Sequence, residues 1–295
     1  MQTSAASASA KSWPAPKGEV LGGGAVRVSV LVPGTPADAW RALTERDSVA
    51  RWFGDLSETL RPGGTHRLDF GDGDFFAISK VRLGPPHSIA YDWRFLGTSP
   101  TDAIAWSIAA EDGACRVTVT DTEPSRTPSG CDEMIEGWTD FLQRLQGHRV
   151  TGRNTRYAWR KEFSGSIELA LEPAAAFAQL LSSEGQGRWL PWTGGAIASG
   201  ATLLMTDGGA PERLHVSGVQ KESASLHFKL SAPRWRVATD CRIALQPWPS
   251  GALLVVTHDG WPAIDPLPTE QAVQRTRFGT LWTKALHDAK ALVAG

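Results

Sequence analysis

Residues 26–32, Val-Arg-Val-Ser-Val-Leu-Val, carry an apolar side chain at every second position, the mark of a strand with one buried face. Pro33-Gly34-Thr35-Pro36 ends the strand, and Ala37 to Thr44 brings Trp40 and Leu43 to one side of a short helix. A second helical turn over 48–53 closes in Trp52-Phe53. Strands are then predicted over Thr65–Phe70, Phe75–Leu83, Ile89–Phe95, Ala103–Ala109 and Cys115–Thr120, punctuated by Gly71-Asp72-Gly73 and Gly84-Pro85-Pro86. The period then becomes helical. Met134, Ile135, Trp138, Phe141, Leu142 and Leu145 line one face of a helix from about Asp132 to Gln146.

The pattern is written twice. Pro36-Ala37-Asp38-Ala39-Trp40-Arg41-Ala42-Leu43 recurs as Pro173-Ala174-Ala175-Ala176-Phe177-Ala178-Gln179-Leu180, an offset of 137 positions. The same offset carries Arg51-Trp52 onto Arg188-Trp189, Gly63 onto Gly200 and Val119-Thr120 onto Val256-Thr257. Seven residues further along, Trp138-Thr139 matches Trp282-Thr283. A period this long denotes a duplicated domain. The expected layout is a tail over 1–24, a first domain over 25–147, a basic linker over 148–162 and a second domain over 163–295. The second unit repeats a strand at Gly165–Leu171, a helix at Pro173–Leu181, several strands to Thr257 and a helix from Thr269 to Val293.

Composition excludes several function classes. The formal charge is −1, from 30 basic and 31 acidic residues, so no excess of positive charge addresses nucleic acid or an anionic membrane. No apolar run approaches the ~20 residues of a spanning helix. Cys115, Cys131 and Cys241 match no zinc spacing and cannot close a disulfide framework, which points to a reducing cytoplasm. The Ala/Ser/Pro/Gly-rich stretch over 1–24 lacks the basic and apolar regions of a signal peptide and reads as disordered. No Gly-x-Ser-x-Gly, phosphate-binding loop or dinucleotide fingerprint occurs, and neither cofactor nor metal is expected. Asp69, Asp72 and Asp74 bracket a tight hairpin and lack the distal Glu of a calcium loop.

One strand, two short helices, a run of antiparallel strands and a long C-terminal helix predict an α+β fold, in which a curved antiparallel sheet surrounds the last helix. Each unit resembles a helix-grip domain of the START/Bet v 1-like (SRPBCC) superfamily, in its Hsp90-ATPase-activator-like (AHSA1-like) branch. The residues that carry the resemblance are Pro36-x-x-x-Trp40, Arg51-Trp52-Phe53-Gly54, Arg61-Pro62-Gly63-Gly64, Tyr91-x-Trp93, Val117-Thr118-Val119-Thr120 and Gly137-Trp138-x-x-x-Leu142 in the first unit. In the second they are Arg188-Trp189, Gly200, Thr257-His258-Asp259-Gly260-Trp261 and Trp282-x-x-x-Leu286, with Leu190-Pro191-Trp192 where Phe-Gly is expected. The resemblance implies a cavity between sheet and helix that takes a small hydrophobic or aromatic molecule. It is also similar in architecture to didomain polyketide aromatase/cyclases, and the branch name suggests a chaperone co-factor.

Tryptophan is over-used, with 13 against 10 Phe and 2 Tyr. Trp52, Phe53, Leu68, Trp93, Trp106 and Trp138 in unit one, with Trp189, Trp192 and Trp235 in unit two, fall on inward faces, either as core or as the lining of a ligand cavity. Parity also places His66 inward, where it could move a proton near neutral pH. His66, Tyr91 and Arg67 are the candidate catalytic groups, and His227 is a further ligand candidate, near Lys221 and Lys229. The more complete motifs of unit one assign it the working cavity. Arg149, Arg153, Arg156, Arg160 and Lys161 form a basic linker that either makes interdomain ion pairs or docks an acidic protein partner.

Overall fold

The computed structural model describes residues 12–158, 160–207 and 211–294. Domain 1 contains β1 (Lys17–Gly22), β2 (Ala25–Pro33), α1 (Pro36–Thr44), α2 (Arg46–Val49), β3 (Asp55–Leu56), β4 (His66–Asp69), β5 (Phe75–Gly84), β6 (Ser88–Phe95), β7 (Asp102–Glu111), β8 (Ala114–Thr122) and α3 (Pro128–Thr151). Domain 2 contains β9 (Phe163–Leu169), α4 (Pro173–Leu180), α5 (Ser183–Trp189), β10 (Thr202–Met205), β11 (Glu212–Lys221), β12 (Ser225–Ser231), β13 (Thr239–Trp248), β14 (Gly251–Asp259) and α6 (Pro268–Ala294). The chain is α+β, two tandem helix-grip domains, each a curved antiparallel sheet around a long C-terminal helix.

The sheets share one strand order, β2-β8-β7-β6-β5-β4 in domain 1 and β9-β14-β13-β12-β11-β10 in domain 2, with β1 and β3 added at the edges of the first. The duplication is preserved in the register. Val30 faces Val117 as Ile167 faces Leu254, Trp106 faces Val119 as Ile243 faces Val256, and Tyr91 faces Ile104 as Phe228 faces Cys241. Because side chains alternate along a strand, register conserved at this level fixes which positions are equivalent on the inner face.

Capping chemistry sets the helix boundaries. Thr35 and Asp38 form a reciprocal capping box at the start of α1, with Pro36 in its first turn. Thr127 caps α3, so the helix begins at Pro128, four residues before the position read from apolar spacing alone. It continues to Thr151 and stops at Gly152, whose left-handed φ of 68° suits glycine. Gln146 and Arg149 donate to the carbonyls of Leu31 and Pro33, which draws the start of the expected linker into the helix.

The expected disordered tail needs correction over its second half. Residues 17–22 form β1, paired antiparallel with β2 through the Gly22-Gly23-Gly24 turn. Every residue of β1 is exposed, so no alternation marks it in the sequence. The remainder of that expectation, residues 1–11, lies outside the described residues.

Two devices join the domains. Leu96, in the turn between β6 and β7, has a φ of 55° and is fully buried in the core of domain 2, 2.9 Å from where a Cβ on Gly165 would sit. Beside it, Arg275 of α6 donates to Asp74 of the β4–β5 hairpin and to the carbonyls of Asp72 and Glu162. Arg160 pairs with the same Asp74 and gives its backbone N–H to Asp72. Arg156 pairs with Asp55. Much of the basic linker is therefore engaged within the chain, while the hairpin aspartates serve as the anchor on which domain 2 docks.

Candidate functional site

The aromatic residues of domain 1 form an ordered stack between sheet and helix. Trp93 of β6 lies between Phe76 of β5 (centroids 3.8 Å apart, planes 9°) and Trp138 of α3 (5.1 Å, 5°). Trp106 meets Trp138 edge-on at 5.3 Å and gives its indole N–H to the Tyr91 hydroxyl. Trp138 donates to Asp121 Oδ2 at 2.8 Å. The indole N–H of Trp93 is buried and has no partner, although buried polar groups are almost always hydrogen-bonded.

Trp93 and Trp138 border a cleft of about 590 Å³. Phe76 and Phe95 form one wall and the first half of α3, with Met134, Gly137 and Phe141, forms the other. Ser164 to Ser166 of β9, with Leu253 and Val255 of β14, close it from domain 2. The cleft therefore lies at the seam between the domains and is completed by both.

One edge is charged. Arg126, just before α3, reaches Asp102 at 2.7 Å and Asp121 at 2.6 Å and donates to the Gly24 carbonyl. Glu123 stands beside them on the cleft. Burial and the charge of Asp121 push the Asp102 carboxyl up to about 7, against the opposing pull of Arg126. Burial likewise raises Asp121. Asp102 is thus a carboxyl poised to exchange a proton near neutral pH at the rim of an aromatic cleft.

The residues expected from the sequence distribute unevenly around this cleft. Trp93 and Trp138 line it, and Phe53 packs against both from behind. Trp106 and Leu68 are buried in the core of domain 1 away from the opening. Trp52 donates to the Ala42 carbonyl and Trp189 to that of Leu180, so both pin the short helices. His66 points inward as parity requires but lies under the 58–64 loop, where its Nε2 accepts from the Arg61 N–H and its Nδ1 is 3.9 Å from Glu58. Arg67 points outward, pairs with Asp69 and covers the Phe75 ring. Tyr91 is buried, and burial raises its phenol further from ionisation. The three candidate catalytic groups do not converge on one space.

In domain 2, Trp192 packs edge-on to Trp282 beside a cavity of about 220 Å³. His227 is on the outer face, 3.3 Å from Asp240. Trp235, packed edge-on against Trp261 and Phe278, borders a concavity of about 770 Å³ that is also lined by Arg277, which is paired with Asp207 and Glu212. Register makes Phe228, Leu230 and Ile243 the counterparts of Tyr91, Trp93 and Trp106, all of them buried hydrocarbon.

The charged edge was missed by sequence reasoning. Asp121 carried a signal, since Cys115, Val117, Val119 and Asp121 share the buried parity of β8 and a carboxylate there demands a partner. Asp102 and Arg126 sit where a strand begins and in a turn, and only the fold brings them together.

Two sheets, each closed on its C-terminal helix, define a tandem helix-grip protein. The chain belongs to the Activator of Hsp90 ATPase homolog 1-like family, whose model matches residues 33–148. It is similar along nearly its whole length to DynU16, a protein of the dynemicin biosynthetic locus, with 33% identity, 92% of this chain and 99% of that chain covered, and a TM-score of 0.82. CalU16 from Micromonospora echinospora matches at 20% identity over 44% of this chain and 75% of its own (TM-score 0.38). The didomain aromatase/cyclase StfQ of the steffimycin biosynthetic pathway matches at 13% identity over 91% and 98% (TM-score 0.36). No curated protein matches the chain in sequence. Among the described residues no helix is long and apolar enough to cross a membrane.

Proposed function

We propose that the protein binds a flat, hydrophobic or aromatic small molecule in the seam cleft of domain 1, with domain 2 as its supporting twin. The carrying observation is the Phe76–Trp93–Trp138 stack, which borders an open cleft of ligand size and includes an indole N–H with no partner. The half-buried rings of Phe76, Phe95 and Phe141 along the cleft offer a ligand ring the offset stacking that aromatic pairs favour. The free, buried cysteines support a reducing cytoplasm as its setting.

A second reading is catalytic, of the aromatase/cyclase kind, and it is favoured by Asp102. A carboxyl near neutrality at the cleft edge can take a proton from an enolisable substrate and return it, which general acid–base catalysis of a cyclisation requires. The presence of the full-length relative DynU16 in a biosynthetic locus supports this reading too.

Gly137 provides the test. It lines the cleft from α3, and a Cβ added there would meet nothing within 4 Å. Gly137→Leu is expected to fold normally and to block the opening. Titration with acridine, followed by tryptophan quenching, should give saturable binding in the wild type and at least about ten-fold weaker binding in the variant. Equal binding by both would remove the cleft as the site.

A further inference from the structure

The charges around the cleft do not balance, and this bears on the chemical class of its ligand. At the edge of the stack stand the carboxylates of Asp102, Asp121 and Glu123, with Glu133 on the exposed side of α3. One guanidinium, Arg126, faces them, and it is saturated by Asp102, Asp121 and the Gly24 carbonyl, with 7% of its side chain exposed. It has little left to offer an anion. The other cation on the cleft, Arg160, is taken by the seam cluster, in which Asp72 and Asp74 match Arg160 and Arg275. In the adjoining concavity Lys161 is offset by Glu162 and Asp140 is held by Arg144. A surplus of negative charge therefore remains beside the aromatic wall, in a cleft with low-dielectric sides that concentrate its field.

Resting on the proposed binding of planar aromatics, we infer that the cleft selects those carrying a protonated amine over neutral or anionic molecules of the same shape, with the ring on the half-buried Phe76, Phe95 and Phe141 rings and the ammonium at the Asp102–Glu123 edge. The wall contributes to the same preference, because a cation near an aromatic ring face is attracted by the ring quadrupole. Burial and the neighbouring carboxylates make Asp102 hold its proton up to about 7, so the unliganded edge already accepts one positive charge, and a bound ammonium takes that place.

Two probes of nearly the same shape separate charge from stacking: 9-aminoacridine, cationic at pH 7.5, and acridine, neutral there. The expected result is about ten-fold tighter binding of the cation in low salt. In Asp102→Asn, and independently in Glu123→Gln, the two affinities should draw to within about two- to three-fold of one another. Glu123→Gln keeps an oxygen to accept the Ser125 N–H, so it serves if the first variant folds poorly. Equal affinity of the two probes for the wild type, with both lost in Gly137→Leu, would overturn the charge selection and leave the cleft intact. Binding of neither probe would overturn the cleft itself, and cation binding that survives Gly137→Leu would place the acidic site elsewhere.

Discussion

Asp121 and His258 occupy the same position in the two copies of the domain, and each accepts the indole N–H of its own helix tryptophan, at 2.8 Å from Trp138 and 3.0 Å from Trp282. The geometry is shared and the charge is not. His258 is buried and held neutral, its pKa lowered by burial and by Arg275, and its second nitrogen meets Thr239, the counterpart of Asp102. Asp121 instead recruits Arg126 and with it Asp102. Differences at the tryptophan's acceptor and at the positions of Asp102 and Arg126, which are Thr239 and Ala263 in the second copy, thus separate a closed, neutral core from an open, acidic edge.

Asp121→Ala should therefore be costly. It leaves the Trp138 N–H without an acceptor and Arg126 with a single carboxylate, and breaking a buried pair from one side costs roughly 3–5 kcal/mol. Urea unfolding measures this directly. A loss well under 1 kcal/mol would mean that Asp121 is not the post on which the edge is built.

The elevated pKa of Asp102 has a definite sign. Below the ordinary carboxylate range the group is protonated whether the chain is folded or not, and it makes no difference to stability. As pH rises towards about 7, the unfolded chain releases this proton more readily than the folded one, so the fold loses stability. Asp102→Asn removes that loss. Between pH 5 and 8 its stability relative to wild type should rise by roughly 2–3 kcal/mol, as read from denaturant midpoints at each pH. A relative stability that stays flat over this window would mean that the fold does not raise the carboxyl above its ordinary range.

At the seam, Arg275→Leu leaves Asp74 buried beside Arg160 alone, while Asp72 keeps the Arg160 N–H. The domains should separate more readily, with limited proteolysis cutting within 152–162 faster than in wild type. Unchanged cleavage would show that apolar contacts alone hold the seam.

Alternation in β2 and β4 to β8 and the helical period of α3 and α6 carried most of the architecture, because elements with one wet and one dry face record that asymmetry in their side chains. The duplication was equally plain, since copied anchors such as Trp52 and Trp189 do the same local work in both domains. The edge strand β1 has no dry face and left no such record. For the cleft, the sequence led to Trp93 and Trp138 through parity but also to His66, because parity distinguishes inside from outside and cannot distinguish a cavity from the underside of a loop. Arg126 acquires its role only when the turn before α3 folds over Asp102, a relationship no spacing encodes.

Leu96 carries a consequence for how the chain becomes stable. A leucine held in the left-handed region bears a conformational cost of about 1 kcal/mol, and its side chain fills a place in the other domain's core. An excised second domain would contain a leucine-sized void, a defect of about 2–5 kcal/mol in a typical core. The two copies have thereby ceased to be interchangeable modules. They are expected to melt as one cooperative unit, and the ancestral single domain cannot be recovered by cutting this protein in half.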